Sequence, residues 1–197
     1  MKKKSSRQQQ PSSIRIIGGE WRGTKLEVLD VAGLRPTTDR VRETLFNWLQ
    51  AYIAGATCLD LYAGTGALGL EALSRGADHV TFFELNGRVA KQINQHLNKL
   101  QATDRGTVQT GDTRHLLSNS TPLKYDLVFV DPPFSDQLIE STILSLADKG
   151  WLNKQGLLYL ESDANTEQAK LPNFFKPLRE KRAGTARYAL YEFDLSS

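Results

Sequence analysis

Asp131-Pro132-Pro133-Phe134 closes the largely apolar run from Asp126 to Val130. At the end of a parallel strand these residues would supply a carboxylate, two carbonyls held by proline rings and an aromatic face, and open α/β sheets bind ligands at that end of their strands. A carboxylate beside a carbonyl accepts both hydrogens of an exocyclic amine, while the ring of Phe134 stacks on the base that carries it. That is equipment for chemistry on a nucleobase nitrogen. A Pro-Pro turn that merely closes a strand would carry the same letters, so the other polar groups have to decide.

The stretch Asp60-Leu61-Tyr62-Ala63-Gly64-Thr65-Gly66-Ala67-Leu68-Gly69 contains a G-x-G-x-x-G pattern. Glycines there let the chain turn tightly from strand to helix and let its backbone approach a ligand. A dinucleotide would meet the carboxylate of Asp60 close to its phosphates, which is repulsive, and too little chain remains for the substrate domain of a dehydrogenase. S-adenosyl-L-methionine suits the site better, being a nucleoside with an ammonium and a sulfonium and no phosphate. Asp60, Tyr62, Gly64 and Gly66 are the candidate cofactor residues of this turn. Glu84 ends the next expected strand, 24 residues after Asp60, where an acidic side chain takes the ribose hydroxyls. Asp112 follows the third and either accepts the adenine amine or caps a helix. Asp131 follows the fourth, so four acids converge on one rim.

These residues need a scaffold, and from Thr57 strand-like and helix-like segments alternate. Strands are expected at Thr57–Tyr62, His79–Glu84, Gly106–Thr110, Tyr125–Val130 and Leu157–Glu161. Helices are expected at Ala67–Arg75, Gly87–Leu100, Thr113–Ser118 and Asp136–Ala147. Continuous apolar strands between helices indicate a mostly parallel sheet covered on both faces, an α/β fold. Phe175–Lys181 and Arg187–Phe193 read as an antiparallel pair closing one edge. Ahead of the sheet, Ile14–Ile17 and Lys25–Val28 form a hairpin around Gly18-Gly19 and Gly23, and Val41, Leu45, Phe46, Trp48 and Leu49 follow helical spacing after Pro36 and the Thr37-Thr38 caps. The expected organisation is a disordered polar tail over residues 1–13, an RNA-contacting hairpin and helix over 14–52, and a catalytic domain over 53–197.

A chain of 197 residues accommodates one well-buried domain and a small appendage. No apolar stretch reaches the roughly 18 residues of a membrane span, and Met1 to Gln10 lacks the apolar core of a signal peptide. We expect a cytoplasmic protein. The single Cys58 lies in an apolar run and is read as a buried side chain rather than a nucleophile, and His79, His96 and His115 lack metal-ligand spacing, so no metal is expected. Charge is lopsided: up to Arg42 ten Lys or Arg face four acids, a balance of +6, and the remainder carries −3. A basic front end on a mildly acidic body points to a polyanion partner, with Arg15, Arg22, Arg35, Arg40 and Arg42 as candidate phosphate contacts.

Taken together, Asp60 to Gly66, Glu84, Asp112 and Asp131 to Phe134 resemble class I S-adenosylmethionine-dependent methyltransferases acting on exocyclic amines. The N-terminal block narrows this. Arg15-Ile16-Ile17-Gly18-Gly19 with Trp21-Arg22-Gly23, and Leu34 to Glu43 with Leu45-Phe46-Asn47, resemble the bacterial small-subunit ribosomal RNA guanine-N2 methyltransferase family. The resemblance spans about Ile14 to Tyr191. It implies a Rossmann-like, seven-stranded methyltransferase sheet whose last strand is antiparallel, a monomer, and a target guanine in 16S ribosomal RNA, within an assembled or assembling small subunit. Phe134 stands where many adenine-N6 enzymes carry Tyr, so stacking is kept while the stacked base is left open. An adenine-N6 methyltransferase on DNA or RNA and a non-catalytic RNA-binding assembly factor are the competing functions.

Under this resemblance Asp131 and the Pro132 carbonyl would aim the amine's lone pair at the methyl group, with Asp131 or water taking the surplus proton. The base would have to be splayed out of its stack to reach them.

Overall fold

A computed structural model describes residues 13–31, 37–120, 123–133, 136–166 and 169–194. Residues 1–12 of the expected tail, Arg35 and Phe134 lie outside the described residues, and Ser13, read as tail, instead opens the first strand, paired with Glu27. Two short strands, β1 (Ser13–Arg15) and β2 (Lys25–Glu27), pair antiparallel, and α1 (Asp39–Trp48) follows. The alternating part then runs β3 (Thr57–Asp60), α2 (Ala67–Ser74), β4 (His79–Glu84), α3 (Gly87–Lys99), β5 (Gly106–Thr110), α4 (Thr113–Asn119), β6 (Tyr125–Val130) and α5 (Asp136–Asp148). Three strands finish it: β7 (Leu152–Asp163), β8 (Phe175–Ala183) and β9 (Ala186–Phe193).

The sheet order is β5-β4-β3-β6-β7-β9-β8. The first five strands are mutually parallel, and β9 runs antiparallel to both β7 and β8. The sheet is therefore seven-stranded and mostly parallel, as expected, with the reversed strand one place in from the edge that β8 forms. β7 starts earlier than its apolar run suggests. Tyr125 pairs with Leu152 across a register shift, and polar Asn153 to Gln155, with Gln155 at φ +63°, interrupt the apolar pattern that marks the strand in sequence.

Alternation along the strands sorts the core into two layers. Cys58, Phe82, Phe129 and Tyr159 face the hairpin, α1, α2 and α3, whereas Leu59, Phe83, Val130 and Leu160 face α4 and α5. The hairpin and α1 share the first layer with the sheet through Ile14, Leu26, Leu45 and Phe46, so they fold as part of one core.

A buried carboxylate bolts the N-terminal segment down. Glu71, on α2, accepts from the backbone N–H groups of Ile17 and Gly18 at 2.8 Å each, pairs with Arg75 at 2.7 Å and lies 3.5 Å from Arg42. Gly19, at φ +77°, lies so close to α2 that a Cβ would come within 1.8 Å of the Ser74 carbonyl oxygen. Gly19 is thus a packing requirement.

Candidate active site

Strand order reverses at β3, which pairs with β4 on one side and β6 on the other. Helices leaving these strands diverge to opposite faces there, which opens a crevice at the carboxyl ends. A cavity of about 960 Å³ occupies that crevice. It stands at the upper end of the range for small-molecule sites, about 300–1,000 Å³. It admits a cofactor and part of a second ligand.

Of the expected cofactor residues, Asp60, Tyr62, Gly64, Glu84 and Asp112 line this cavity. Asp60 is 2% exposed and accepts from the Gly69 N–H at 3.1 Å. Burial, and after it the neighbouring carboxylates of Asp131 and Glu84, push its pKa to about 7 against the Gly69 hydrogen bond. Gly64 and Gly66 have φ of +52° and +77°, and Gly66 caps α2. Gly69 serves differently: a Cβ there would strike the Phe82 ring at 2.2 Å, so it permits close packing of α2 on β4.

Glu84 Oε2 accepts from the Gly64 N–H at 2.8 Å and Oε1 from the Asn86 N–H at 2.7 Å, which ties the glycine turn to the end of β4. A carboxylate has about four acceptor sites, so these backbone contacts do not fill it. Tyr62 bonds Thr142 on α5 through its hydroxyl at 2.7 Å. Asp112 combines the two roles weighed for it, lining the cavity while its Oδ1 accepts from the backbone of Arg114 and His115 as the cap of α4.

Asp131, Pro132 and Pro133 line the same cavity. Asp131 Oδ2 accepts from the Thr37 hydroxyl at 3.0 Å, joining the N-terminal segment to the end of β6. Burial raises its pKa to about 6, with the Thr37 hydrogen bond working against the rise. Thr37 was visible in sequence only as a helix cap. Thr38 does that work, accepting from Val41 N at 3.4 Å.

The arginines separate. Arg15, Arg22 and Arg40 are exposed, and none of them lines the cavity. Arg42 is 1% exposed and spends its guanidinium on Asp39, Glu71 and the Arg15 carbonyl. It is a core residue and drops out of the phosphate-facing set. Arg114, on the first turn of α4, is the one arginine that lines the cavity among the described residues. Sequence reasoning also passed over Leu85, 70% exposed at the rim, and Glu161 near the end of β7. Glu161 carries the same signal as the other acids, a carboxylate at a strand's carboxyl end.

The described lining holds six carboxylates, from Asp60, Glu84, Asp112, Asp131, Glu161 and Asp163, against the single guanidinium of Arg114. Such a lining favours a cationic ligand and disfavours a pyrophosphate.

Comparison with known proteins agrees with this geometry. The profile of the family described as Conserved hypothetical protein 95 matches residues 14–192. Ribosomal RNA small subunit methyltransferase D of Escherichia coli (strain K12) is 49% identical over 179 residues, which cover 91% of this chain and 89% of that protein. The protein of the same name from Haemophilus influenzae is 42% identical over 181 residues, covering 91% and 93%. A solved structure of the Escherichia coli protein yhhF aligns with a TM-score of 0.87 at 45% identity, over 93% of this chain and 99% of that one. The resemblance drawn from the motifs is borne out at the level of small-subunit ribosomal RNA methyltransferases. The chain belongs to the Conserved hypothetical protein 95 family, among the relatives of ribosomal RNA small subunit methyltransferase D.

Proposed function

We propose that this protein transfers a methyl group from S-adenosyl-L-methionine to the exocyclic N2 of a guanine in 16S ribosomal RNA, acting on an assembled or assembling small subunit in the cytoplasm. The observation that carries the reading is Asp131 held by Thr37 on the wall of the cavity that Asp60, Gly64 and Glu84 also line. The cofactor supplies an electrophilic methyl on its sulfonium. Its fit rests on the lining: Asp60 offers a carboxylate to its ammonium, Glu84 to its ribose hydroxyls, and Leu85 an apolar surface to its base. The positive φ of Gly64 and Gly66 turns the backbone sharply beneath them.

Asp131 and the Pro132 carbonyl accept the two N–H groups of the guanine amine, which orients its lone pair and stabilises the positive charge that grows on nitrogen. The nitrogen would exchange one bond to hydrogen for a bond to the methyl carbon, whose bond to sulfur breaks and leaves its electron pair on a neutral thioether. Asp131 takes that proton or passes it to water, and a pKa near 6 suits either course at neutral pH. Phe134 is assigned to stack on the base, and Arg15, Arg22, Arg35 and Arg40 to hold flanking phosphates.

Incubation with labelled S-adenosylmethionine and unmodified small subunits, followed by nucleoside mapping, tests the whole proposal. N2-methylguanosine in 16S ribosomal RNA is the expected product. N6-methyladenosine would establish the rival methyltransferase, and no product at all would favour an assembly factor. Asp131→Ala should lower turnover by about 10²–10³-fold while cofactor affinity stays nearly constant. Retained turnover in that variant would sink the assigned role.

A further inference from the structure

We propose that Glu161 is a specificity-determining residue that accepts the N1–H of the target guanine beside Asp131. The proposal rests on the guanine-N2 reading and extends it to how the base is chosen. β6 and β7 are parallel, and Val130 pairs with Leu160, so Asp131, the first residue past β6, and Glu161 on β7 follow directly on that pair. Two residues earlier, the rings of Phe129 and Tyr159 meet at 6.2 Å in the layer shared with α1. Side chains alternate along a strand, so Asp131 and Glu161 rise on that same face. Both line the cavity.

Glu161 is anchored from below. The hydroxyl of fully buried Tyr159 donates to its Oε2 at 2.8 Å. Burial, followed by the Glu161 and Asp131 carboxylates, raises the Tyr159 pKa well above the ordinary phenol range, which keeps that hydroxyl a donor. That bond fixes the position of Oε2 at the cavity wall, and a carboxylate has about four acceptor sites in all.

Two carboxylates side by side match a base edge that presents two adjacent donors. Guanine offers that pair in N1–H and the N2 amine. Adenine sets its amine beside an unprotonated N1, whose lone pair would face the Glu161 oxygens. A buried acceptor left facing an acceptor is costly, and sites built around such hydrogen bonds reject mismatched analogues strongly.

2-Aminopurine separates the two contacts, because it keeps the exocyclic amine at C2 and lacks the N1–H. Small subunits reconstituted with 16S ribosomal RNA carrying guanine or 2-aminopurine at the methylated position would be assayed with the unaltered protein and with Glu161→Gln. Glutamine can still accept from Tyr159 while turning an N–H toward N1. The unaltered protein should prefer guanine by about 100-fold or more in kcat/KM. Glu161→Gln should lose at least about 10-fold on guanine and narrow the preference by a similar factor, with calorimetric cofactor affinity unchanged. An equal fall on both bases, or equal use of both by the unaltered protein, would overturn the assignment. No product on guanine from the unaltered protein would overturn the proposed function itself, and this assignment with it.

Discussion

At the scale of single residues, Asp60 and Asp131 are carboxylates held where water reaches them poorly. Asp60 shows the consequence most directly. Folding raises its pKa from 3.8 to about 7, so the folded chain binds that proton more tightly than the unfolded chain does. The stabilisation this represents is fully present below about pH 4 and is lost as pH rises through about 7. Asp60→Asn removes the buried charge and keeps an acceptor for the Gly69 N–H. We expect the variant to be more stable than the parent by roughly 2 to 4 kcal/mol at pH 8, with little difference at pH 4, in denaturant titrations at the two pH values. Cofactor affinity should fall at the same time. Asp131 leads to a kinetic prediction of the same kind. Because the carboxylate is the form that accepts the amine, turnover should decline as pH falls through about 6, and an Asp131→Asn variant should lose that dependence. A single-turnover pH profile, free of the binding step, checks this.

At the scale of elements, the N-terminal segment and α2 act as one unit. Glu71 holds two backbone N–H groups of the turn after β1 together with Arg42 and Arg75, and α2 is the helix that the glycine turn opens. Replacing Glu71 by Ala strands two backbone donors and removes one of the two carboxylates beside the buried Arg42 guanidinium. The cost should be about 3–5 kcal/mol of unfolding free energy. Thr37 lies on the same segment and contacts Asp131, so the loosened segment should also lower turnover in molecules that remain folded. Denaturant unfolding and single-turnover rates on the same preparation test the two effects. A variant that lost stability yet kept the full rate would show that the segment does not position Asp131.

At the scale of the whole molecule, charge divides by region. The carboxylates gather in the cavity, whereas Arg15, Arg22 and Arg40 lie exposed on the N-terminal segment. Phosphate contacts release counterions, and each one lost flattens the dependence of log affinity on log salt by about 0.9. The double variant Arg22→Ala, Arg40→Ala should therefore reduce that slope by about 2 for small-subunit RNA. An unchanged slope would take both residues out of the footprint. Arg42 illustrates why charge alone cannot assign such roles. It has the same residue type and nearly the same position in sequence as Arg40, yet it is 1% exposed against Glu71, a carboxylate that the fold delivers.

The alternation of apolar strands and polar-faced helices was legible along the chain because each element carries its own period. The placement of Asp60, Glu84, Asp112 and Asp131 at strand ends was equally legible, since position along a strand is a local property. The sequence by itself therefore determined the fold class, the glycine turn and the acidic rim. Which strands are neighbours is not local. Only pairing between β6 and β7 sets Glu161 beside Asp131, and only the return of the N-terminal segment brings Thr37 to a carboxylate 94 residues away. The same return buries Arg42 against Glu71. Periodicity says which face a side chain takes but not what it meets there, and the meeting depends on the order in which the strands are laid down in the sheet.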